Sequence, residues 1–499
     1  MAEVTTAPPR AERPPAGARF QHLIDGQLVG SADGRVFETI DPHTGQPYGT
    51  AAEAGAEDVR RAVAAARRAF DEGPWPRMNT KERRALLNKL ADRVHDETER
   101  LAVAESRDMG KPITNSRTFD LPRVSANLRF FADFQDQATA ETLPMAGFHT
   151  YTRYDPVGVV AAISPWNFPL MLASWKIAPA LAFGNTVVLK PAEQSPATAS
   201  LFAELVAEVL PPGVLNVVHG FGPSAAGEFL ARSEDVDLIT FTGETRTGAA
   251  IMESAAPTVK ALSLEMGGKS PNVVFADANL ENALQTTVKA IFDNQGEVCL
   301  AGSRLFVERP IYDEFLQRLV GLVRELPVGD PMDPRTRVGP LVSEEQLQRV
   351  EGYLETARSE GAQFLVGGGR PSDPELGGGY YVEPTILDRL PFESRCVTEE
   401  IFGPVLVAQP FDTEEEAVRW ANDTPYGLAG MVMTSNLARG HRVAGQIKAG
   451  TVWVNCYFVR DLRAPFGGAK RSGIGREGGY HSREFFTEAK TVTIDLGVE

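Results

Sequence analysis

Four short apolar runs decide the fold: VGVVAAIS at residues 157–164, NTVVLKP at 185–191, LNVVHG at 215–220 and DLITFTG at 237–243. Each run is rich in β-branched residues and ends in a turn or a glycine, which is typical of a buried strand. Segments with a helical pattern separate them, at residues 169–184, 195–210 and 223–233. This alternation predicts a parallel sheet with crossover helices, an α/β fold of the dinucleotide-binding type.

Two further regions flank this predicted sheet. Residues 20–50 alternate apolar and polar side chains around Asp-Gly and Asp-Pro turns, which predicts short antiparallel strands, and residues 56–103 have helical periodicity. A second series of apolar runs between about residues 270 and 455 predicts a second α/β block. The C-terminal run TVTIDLG is a lone strand, which either completes the edge of a sheet of its own subunit or serves as an oligomerisation arm.

The composition is that of a globular protein, and the charge excludes several classes of partner. At 499 residues the chain is long enough for about three domains. Its 50 basic and 66 acidic residues give a net charge of −16, which argues against nucleic acid and anionic membranes as partners. Any anionic ligand must therefore be bound by a few local cations.

Targeting and redox signals are weak in this sequence. Residues 1–18 are rich in Pro and Ala without an apolar segment, so we expect a disordered leader and no signal peptide. No run of 18 or more apolar residues occurs, so the sequence predicts a cytoplasmic protein. Its three cysteines lack the spacing of a disulfide framework or a zinc site, and no metal is expected.

Cys299, in the segment FDNQGEVCLAGSRL, is the strongest chemical candidate. It follows a helical stretch and lies among small and polar residues, whereas Cys396 precedes an acidic run and Cys456 ends an apolar strand. A single cysteine is more often an inert small apolar residue than a nucleophile. The assignment of Cys299 as a nucleophile therefore depends on its neighbours in the fold.

Two other segments contain groups that a cysteine nucleophile needs. Glu265 ends a strand-like run in LSLEMGGKSP, where a carboxylate can face a cleft and act as a general base. Asn167 lies at a strand-to-helix corner in ISPWNFPL, where its amide can donate to a developing oxyanion. The alternatives are a carboxylate that bonds loop amides and an asparagine that only forms a turn.

The ends of the predicted strands also carry groups suited to a dinucleotide. Lys190 and Glu193 follow a strand in VVLKPAEQSP and can bind the two hydroxyls of an adenosine ribose. The glycine run GFGPSAAG, with Gly222, is only a loose relative of the usual fingerprint. A second glycine turn, FTGETRTG with Gly243, opens a helix and suits a pyrophosphate.

Seven motifs in a fixed order resemble the aldehyde dehydrogenase superfamily over residues 20 to 497. They are ISPWNFPL, VVLKPAEQSP, FTGETRTG, LEMGGKSP, NQGEVCLAGSR, EEIFGPV and PFGGAKRSGIGREGG. The resemblance implies an aldehyde-dehydrogenase-like subunit with three domains, assembled as a homodimer or homotetramer. Its expected parts are a Rossmann-type NAD-binding domain (19–137 and 158–266), an α/β catalytic domain (267–480) and a small β oligomerisation arm (138–157 and 481–499).

The resemblance also implies roles for matching positions. Cys299 matches the nucleophile, Glu265 the general base and Asn167 the oxyanion donor. The positions that the resemblance implies for NAD are Ser164, Trp166, Lys190, Glu193, Gly222, Phe241, Gly243, Glu244, Gln346, Arg349, Glu400 and Phe402. Glu193 should favour NAD over NADP, because a 2′-phosphate would meet its carboxylate. The implied reaction proceeds through a thiohemiacetal and a thioester on the cysteine, without a metal.

One departure from the superfamily points to the substrate. FTGETRTG has Glu244 where serine is common, and YFVRDLRAPFGG carries two arginines; both features look like the branch that oxidises muconate semialdehydes in aromatic-ring meta-cleavage pathways. Arginine pairs can hold a substrate carboxylate. The expected substrate residues are Arg123, Arg460, Arg463, Phe168 and Phe466.

Several alternatives remain open from the sequence. The arginines can instead form ion pairs with carboxylates such as Asp461, in which case the enzyme is a broad-range or betaine-type aldehyde dehydrogenase. A CoA-acylating enzyme is disfavoured by Glu265, which would hydrolyse the thioester. A thiol hydrolase needs a histidine, and none lies near Cys299 in the sequence. A non-catalytic protein of the same fold is disfavoured by the presence of Cys299, Glu265 and Asn167.

Overall fold

The structure, a computed structural model, describes residues 10–13, 16–137 and 139–497. Its strands are β1 (Ala18–Phe20), β2 (His22–Ile24), β3 (Gln27–Val29), β4 (Val36–Asp41), β5 (Gln46–Ala52), β6 (Thr142–Met145), β7 (Phe148–Pro156), β8 (Val159–Ile163), β9 (Thr186–Lys190), β10 (Leu215–Val217), β11 (Leu238–Gly243), β12 (Ala261–Met266), β13 (Pro271–Val274), β14 (Arg304–Glu308), β15 (Gln363–Val366), β16 (Thr385–Asp388), β17 (Val405–Phe411), β18 (Ala429–Met433), β19 (Thr451–Val454), β20 (Gly473–Ile474) and β21 (Thr487–Asp495).

The helices of the same residues surround these strands. They are α1 (Ala56–Asp71), α2 (Thr80–Asp96), α3 (Thr98–Met109), α4 (Ile113–Asn115), α5 (Leu121–Phe134), α6 (Pro169–Ala182), α7 (Pro196–Val209), α8 (Ala226–Arg232), α9 (Thr245–Ala255), α10 (Leu280–Phe292), α11 (Tyr312–Arg324), α12 (Glu344–Ser359), α13 (Arg395–Thr398), α14 (Glu414–Asn422), α15 (Leu437–Gln446) and α16 (Gly479–Phe486).

The first large sheet confirms the parallel arrangement predicted from the four apolar runs. Its eight strands have the order β20-β12-β11-β8-β9-β10-β2-β3, and the five from β12 to β10 are parallel. The antiparallel strands β2 and β3 extend one edge, and β20 closes the other. The carboxyl ends of the parallel strands therefore meet along one side of the sheet, where ligands bind in such folds.

The second large sheet has seven strands in the order β15-β16-β17-β14-β13-β18-β19. All of its pairings are parallel except that of β15 with β16. Strand β13 begins only a few residues after β12 ends, so the chain passes from one sheet to the other through residues 267–270. This short connection brings the ends of the two sheets to a common cleft.

A third, small sheet settles how the C-terminal strand pairs. Strand β21 pairs with β7 along nine residues, from Thr487 opposite Pro156 to Asp495 opposite Phe148, and β6 completes the sheet on the other side of β7. It therefore lies at an edge of this separate sheet and in neither large one. Five apolar residues in this region are exposed to solvent: Leu143, Met145, Phe148, Ile494 and Leu496.

Part of the segment expected to be a disordered leader contacts the folded protein. Residues 1–9, 14 and 15 lie outside the described residues. Arg13, however, donates hydrogen bonds to Asp41 and Asp330, and the backbone N–H of Ala11 donates to the carbonyl of Met332. Ala18 already belongs to β1. The positive charge of Arg13 beside two carboxylates gives a physical reason for this attachment, so the order begins before residue 19.

A buried histidine pair makes the stability of the first sheet sensitive to acid. The rings of His22 and His219 stack with centroids 5.8 Å apart, and burial lowers the pKa of His22 to about 4 and that of His219 to about 3. Because the unfolded chain binds protons at these residues near pH 6.5, their neutral form contributes stability above that pH. This contribution is lost as the pH falls from about 6.5 toward 4.

We expect a His22→Gln/His219→Gln variant to lose this part of the pH dependence. The variant should be less stable than the unsubstituted chain at pH 7.5, because the Ser200 hydroxyl bonds His219 at 2.8 Å. The difference between the two melting temperatures should shrink as the pH is lowered to 5. Melting curves followed by circular dichroism at several pH values test this expectation, and parallel pH profiles for the two proteins would contradict it.

Candidate active site

Cys299 lies on a strained turn between α10 and β14. The preceding residues Asn294 and Gln295 have φ angles of 52° and 45°, a left-handed conformation that side chains other than glycine rarely adopt. The Asn294 amide holds the turn by donating to the carbonyl oxygens of Asn167 and Glu297, at 3.2 and 3.1 Å. The turn thus presents the half-buried Cys299 at the cleft between the two large sheets.

Asn167 is tied to the same turn. Its Nδ2 donates to the carbonyl oxygen of Glu297 at 2.9 Å, and its side chain is buried. An amide nitrogen carries two N–H groups, so this bond leaves one donor for an oxyanion. The structure brings Asn167 and the Cys299 turn together, and Asn167 also has a structural bond that the sequence did not reveal.

The Cys299 thiol is protonated in this environment. Burial, together with the carboxyl groups of Glu400 and Glu265, raises its pKa to about 12, and the charge of Arg460 opposes this rise. The thiolate is the reactive form of cysteine, so a base or a nearby cation has to favour it before an attack. The two carboxyl groups near the thiol are thus part of the control of its charge.

Glu265 occupies the end of β12 and is buried in the same cleft. Its two carboxyl oxygens are buried and find no hydrogen-bond partner among the residues that the structure describes. Burial and the charge of Glu477 raise its pKa well above the usual value of a glutamate. A buried carboxyl group with free oxygens and a raised pKa is typical of a general base or acid.

A lysine–glutamate pair that the sequence reasoning missed lies beside Glu265. Lys176 in α6 is fully buried, and its Nζ donates to Glu477 Oε1 at 2.9 Å and to Thr240 Oγ1 at 3.1 Å. The charge of Lys176 opposes the rise in the pKa of Glu265. One sequence signal was available, because a lysine inside the apolar helix PLMLASWKIAPALAFG needs a buried partner.

The adenosine end of the predicted NAD site lies at the ends of β8 and β9. Lys190 Nζ is buried and donates to the Pro191 carbonyl at 3.1 Å and to Glu193 Oε2 at 3.4 Å, and burial lowers the pKa of Lys190. Ser164 follows β8, and its buried Oγ has no partner in the described part of the chain. A lysine, a carboxylate and an unpaired hydroxyl at adjacent strand ends fit the hydroxyl groups of a ribose.

The two glycine turns differ in structure. At Gly222 an added Cβ would meet open space, whereas at Gly243 it would lie 2.5 Å from the ring of Phe241. Phe241 is buried in the core beneath this turn, so it shapes the turn from below. Glu244 occupies the N-cap position of α9 without a capping hydrogen bond from its side chain, which instead pairs with Arg246 at 3.3 Å and Arg349 at 3.4 Å.

The nicotinamide end of the predicted site is built around Glu400. Its Oε1 accepts a hydrogen bond from the Gly268 N–H at 2.9 Å, and a Cβ at Gly267 would overlap its other oxygen. Burial raises the pKa of Glu400 to about 7. Arg349 donates to the Glu400 carbonyl oxygen at 2.9 Å, which fixes the segment that carries this carboxyl group.

Phe402 and its neighbours complete this end. Phe402 has a φ angle of 62°, and the Gln346 amide donates to its carbonyl oxygen at 2.7 Å. The Trp166 and Phe402 rings meet edge to face with centroids 5.3 Å apart. Gln346 thus acts on the backbone of the Phe402 segment, and Trp166 brings the β8 corner against it. The predicted NAD residues at this end therefore form one connected group.

A cavity of about 60 Å³ lies next to the Cys299 turn. Leu300, the residue after the cysteine, is part of its wall, which places the cavity beside the nucleophile. The wall also includes Arg123, Asn127, Met171, Trp175, Phe458 and Arg460. A mainly apolar cavity with a few polar groups is typical of a binding site for a small molecule.

Arg460 is the central cation of this cavity. Its guanidinium lies between the rings of Trp175 and Phe466, 3.6 and 3.7 Å from their centroids. Its Nε and Nη2 are buried and donate to no acceptor within residues 10–13, 16–137 and 139–497. Burial, together with the charge of Arg123, lowers the pKa of Arg460 to about 9. Two of the three arginines predicted for the substrate, Arg123 and Arg460, thus line the same cavity.

Three of the predicted substrate residues lie outside the cavity wall. Arg463 is exposed and forms a two-point ion pair with Asp461, with the closest N–O distance at 2.6 Å, so the alternative weighed for the arginines applies to it. Phe466 supports Arg460 from behind. Phe168 is buried against Phe458, with centroids 6.2 Å apart, so it is a second layer behind the wall.

Two features are absent from the described residues, a membrane-spanning helix and a metal-binding cluster. Within that part of the chain, no helix is long and apolar enough to cross a membrane. Neither is there, among the same residues, a group of three or more His, Cys, Asp or Glu side chains placed to hold a metal ion.

Comparison with known proteins gives a consistent result. A model described as the aldehyde dehydrogenase family matches residues 29–492. The chain is 49% identical over 484 residues to the 2-hydroxymuconic semialdehyde dehydrogenase of Pseudomonas sp. (strain CF600), covering 96% of this chain and 99% of that relative. It is 45% identical over 488 residues to a 2-aminomuconic 6-semialdehyde dehydrogenase of Pseudomonas sp., with 96% and 99% covered. A solved indole-3-acetaldehyde dehydrogenase in complex with NAD⁺ is 44% identical, with a TM-score of 0.93 and 96% and 97% covered.

Proposed function

This chain belongs to the aldehyde dehydrogenase family, and from that premise we propose that its substrate is a carboxylated semialdehyde of the muconate-semialdehyde type, formed in aromatic meta-cleavage. The general activity is NAD-dependent oxidation of an aldehyde, and the fold with its Rossmann-type sheet is that of the family. The finer assignment concerns the substrate and the steps on Cys299. Relatives named as 2-hydroxymuconic and 2-aminomuconic semialdehyde dehydrogenases support it.

The observation that carries the substrate assignment is the guanidinium of Arg460. It is buried in the cavity beside the nucleophile, and its Nε and Nη2 lack an acceptor among the described residues. Burying a charge without an acceptor is costly, and the two aromatic rings offset only part of that cost, so this geometry favours a ligand that supplies an anion. A carboxylate accepts from Nε and Nη2 of a guanidinium at once, which would direct the opposite end of a semialdehyde toward Cys299.

The chemistry that we propose begins at the Cys299 sulfur. The thiol transfers its proton to a base, and the thiolate adds to the aldehyde carbon to form a thiohemiacetal. The second N–H of Asn167 stabilises the negative oxygen of this adduct. NAD, when bound by the Lys190, Glu193 and Glu400 group, supplies the acceptor for the hydride that leaves the substrate carbon. Collapse of the oxyanion then leaves a thioester on Cys299.

Glu265 completes the proposed cycle. As a carboxylate it accepts a proton from water, whose oxygen attacks the thioester carbon. The carbon–sulfur bond breaks, the carboxylic acid leaves, and Cys299 is restored. The buried Lys176–Glu477 pair holds charges beside Glu265 and so influences the proton affinity of the base.

We also propose that the chain is divided into an NAD-binding part, a catalytic part and an oligomerisation arm. The NAD-binding part comprises residues 19–137 and 158–266, and the catalytic part residues 267–480. Residues 138–157 and 481–499 form the arm, of which residues 138, 498 and 499 lie outside the described residues. The exposed apolar side chains of this arm, with the open edges of β6 and β21, support a role in a homodimer or homotetramer.

Replacing Arg460 by methionine should lower kcat/KM for carboxylated aldehydes much more than for neutral aldehydes. We expect kcat/KM for 6-oxohexanoate with NAD to fall roughly 30- to 100-fold, because a buried bidentate bond to a carboxylate is lost. For hexanal, which differs only in lacking the carboxylate, the change should stay within about threefold, because methionine keeps the apolar stem. NADH absorbance at 340 nm measures both rates, and a parallel series with NADP measures the cofactor preference.

Arg463 offers the matched control on the same loop. Its guanidinium is exposed and paired with Asp461, so an Arg463→Met variant should leave kcat/KM unchanged for both 6-oxohexanoate and hexanal. Equal losses for 6-oxohexanoate and hexanal in the Arg460 variant would remove the carboxylate assignment. The enzyme would then be a broad-range or betaine-type aldehyde dehydrogenase in which Arg460 only supports the fold.

A further inference from the structure

Asn127 adds a second polar feature to the substrate cavity, of opposite character to the arginines. It lies in α5, it is buried, and it belongs to the cavity wall. Its Oδ1 has no hydrogen-bond donor within the part of the chain that the structure describes. A buried amide oxygen without a donor is uncommon in folded proteins and calls for a specific partner.

The hydrogen bonds of Asn127 fix which side of the amide is the oxygen. Ser174 Oγ donates its only proton to the Met171 carbonyl at 2.7 Å, so it can act only as an acceptor toward Asn127 at 2.9 Å. The nitrogen of Asn127 must therefore face Ser174, with the Met171 carbonyl as a second acceptor at 3.5 Å. The unpaired atom of the amide is consequently the oxygen.

The neighbours of Asn127 in the cavity are donors. Arg123 lies one turn earlier on the same helix and also lines the cavity. Trp175 follows Ser174 in α6, and its Nε1–H is buried without an acceptor among the described residues. With Nε and Nη2 of Arg460, the wall has several unpaired N–H donors and one unpaired amide oxygen.

This pattern is complementary to a carboxylate that has a donor group beside it. The N–H groups suit the carboxylate oxygens, but an amide oxygen repels them and needs an O–H or N–H. We propose that Asn127 determines specificity by accepting a hydrogen bond from a hydroxyl or amino group on the carbon next to the substrate's carboxylate. This inference rests on the proposed function, because it assumes that the carboxylate is held by Arg460.

The test uses two acids that differ in one group, (E)-6-oxohex-4-enoate and (E)-2-hydroxy-6-oxohex-4-enoate, because their trans double bond keeps the hydroxyl group from closing onto the aldehyde as a cyclic hemiacetal. In the unsubstituted chain we expect kcat/KM for the hydroxylated acid to be about tenfold higher, since a buried acceptor left unpaired weakens binding of the other acid. Asn127→Leu should bring this ratio close to one. A merely structural role for Asn127 would lower both rates together and leave the ratio unchanged.

Ser174→Ala is the matched control. It removes the partner of the Asn127 nitrogen but keeps the oxygen, which the Met171 carbonyl holds in the same orientation, so the ratio should remain about tenfold. A ratio near one in the unsubstituted chain overturns the inference without any variant. A ratio that persists in Asn127→Leu overturns it as well.

The failure of the inference and that of the proposed function are separable in the same experiment. Hexanal reports on the carboxylate alone: if 6-oxohexanoate is no better a substrate than hexanal, the proposed function fails. If 6-oxohexanoate is better than hexanal but the hydroxyl group has no effect, only the role of Asn127 fails.

Discussion

Replacing Cys299 by alanine should lower kcat on the order of 10⁴-fold or more, since the side chain that bonds the substrate is absent. The expected loss is in chemistry and not in binding. The dissociation constant for NAD should stay within about threefold of the original, because Cys299 lies on the turn before β14, whereas Lys190 and Glu193, the proposed ligands of the adenosine end, lie at and after the end of β9. Steady-state NADH formation and calorimetric titration with NAD measure the two quantities.

Cys456 is the control for this experiment. It is half-buried like Cys299 and is also a free thiol, but it follows β19 and does not lie on the turn before β14. A Cys456→Ala variant should therefore keep kcat within about threefold. Comparable losses in the two variants, or substantial turnover by Cys299→Ala, would show that Cys299 is not the nucleophile.

Glu265→Gln should separate the two halves of the reaction. The amide cannot accept a proton from water, so hydrolysis of the thioester should slow by about 10²- to 10⁴-fold, which is the usual contribution of a general base. Formation of the thioester should continue, and rapid mixing should show a burst of about one NADH per active site followed by a slow phase. Mass spectrometry should then find the acyl group on Cys299.

The pH dependence gives a second readout for the same residue. Because the pKa of Glu265 is raised, mainly by burial, its carboxyl group is protonated at a pH where an exposed glutamate is ionised. Thioester hydrolysis in the unsubstituted chain should thus accelerate as the pH rises through this raised pKa, and the acceleration should vanish in Glu265→Gln. A variant without a burst, or with an unchanged pH profile, would assign the base to another residue.

The sequence predicted the scaffold well because the scaffold depends on local patterns. The four apolar runs form β8, β9, β10 and β11, and parallel strands necessarily place their carboxyl ends on one side of a sheet. The positions of Lys190 and Gly243 at the cleft follow from that rule. Their chemistry could therefore be read from their place after a strand.

The loop that carries the arginines had no such rule. Arg460 and Arg463 are three residues apart in a segment without helix or strand, so no periodicity indicates which of them faces the cavity. Arg463 faces the solvent because it forms a surface ion pair with Asp461, two residues away. Arg460 is instead placed between the ring of Phe466, from the same segment, and the ring of Trp175, from a distant helix.

The residues that the sequence reasoning missed are polar groups inside helices. Lys176 and Asn127 lie in α6 and α5, where one polar residue in an apolar pattern has many possible explanations. Their importance depends on what faces them: Glu477 comes from a segment about 300 residues further along the chain than Lys176. Only the packing of the two helices against the cleft gives these side chains a role.

The high pKa of the Cys299 thiol has a consequence for the durability of the protein. Peroxide attacks the thiolate and not the neutral thiol, so a cysteine kept protonated by burial and by two nearby carboxyl groups resists conversion to sulfenic acid. In the resting protein, Cys299 should therefore be oxidised by peroxide more slowly than a cysteine held as a thiolate.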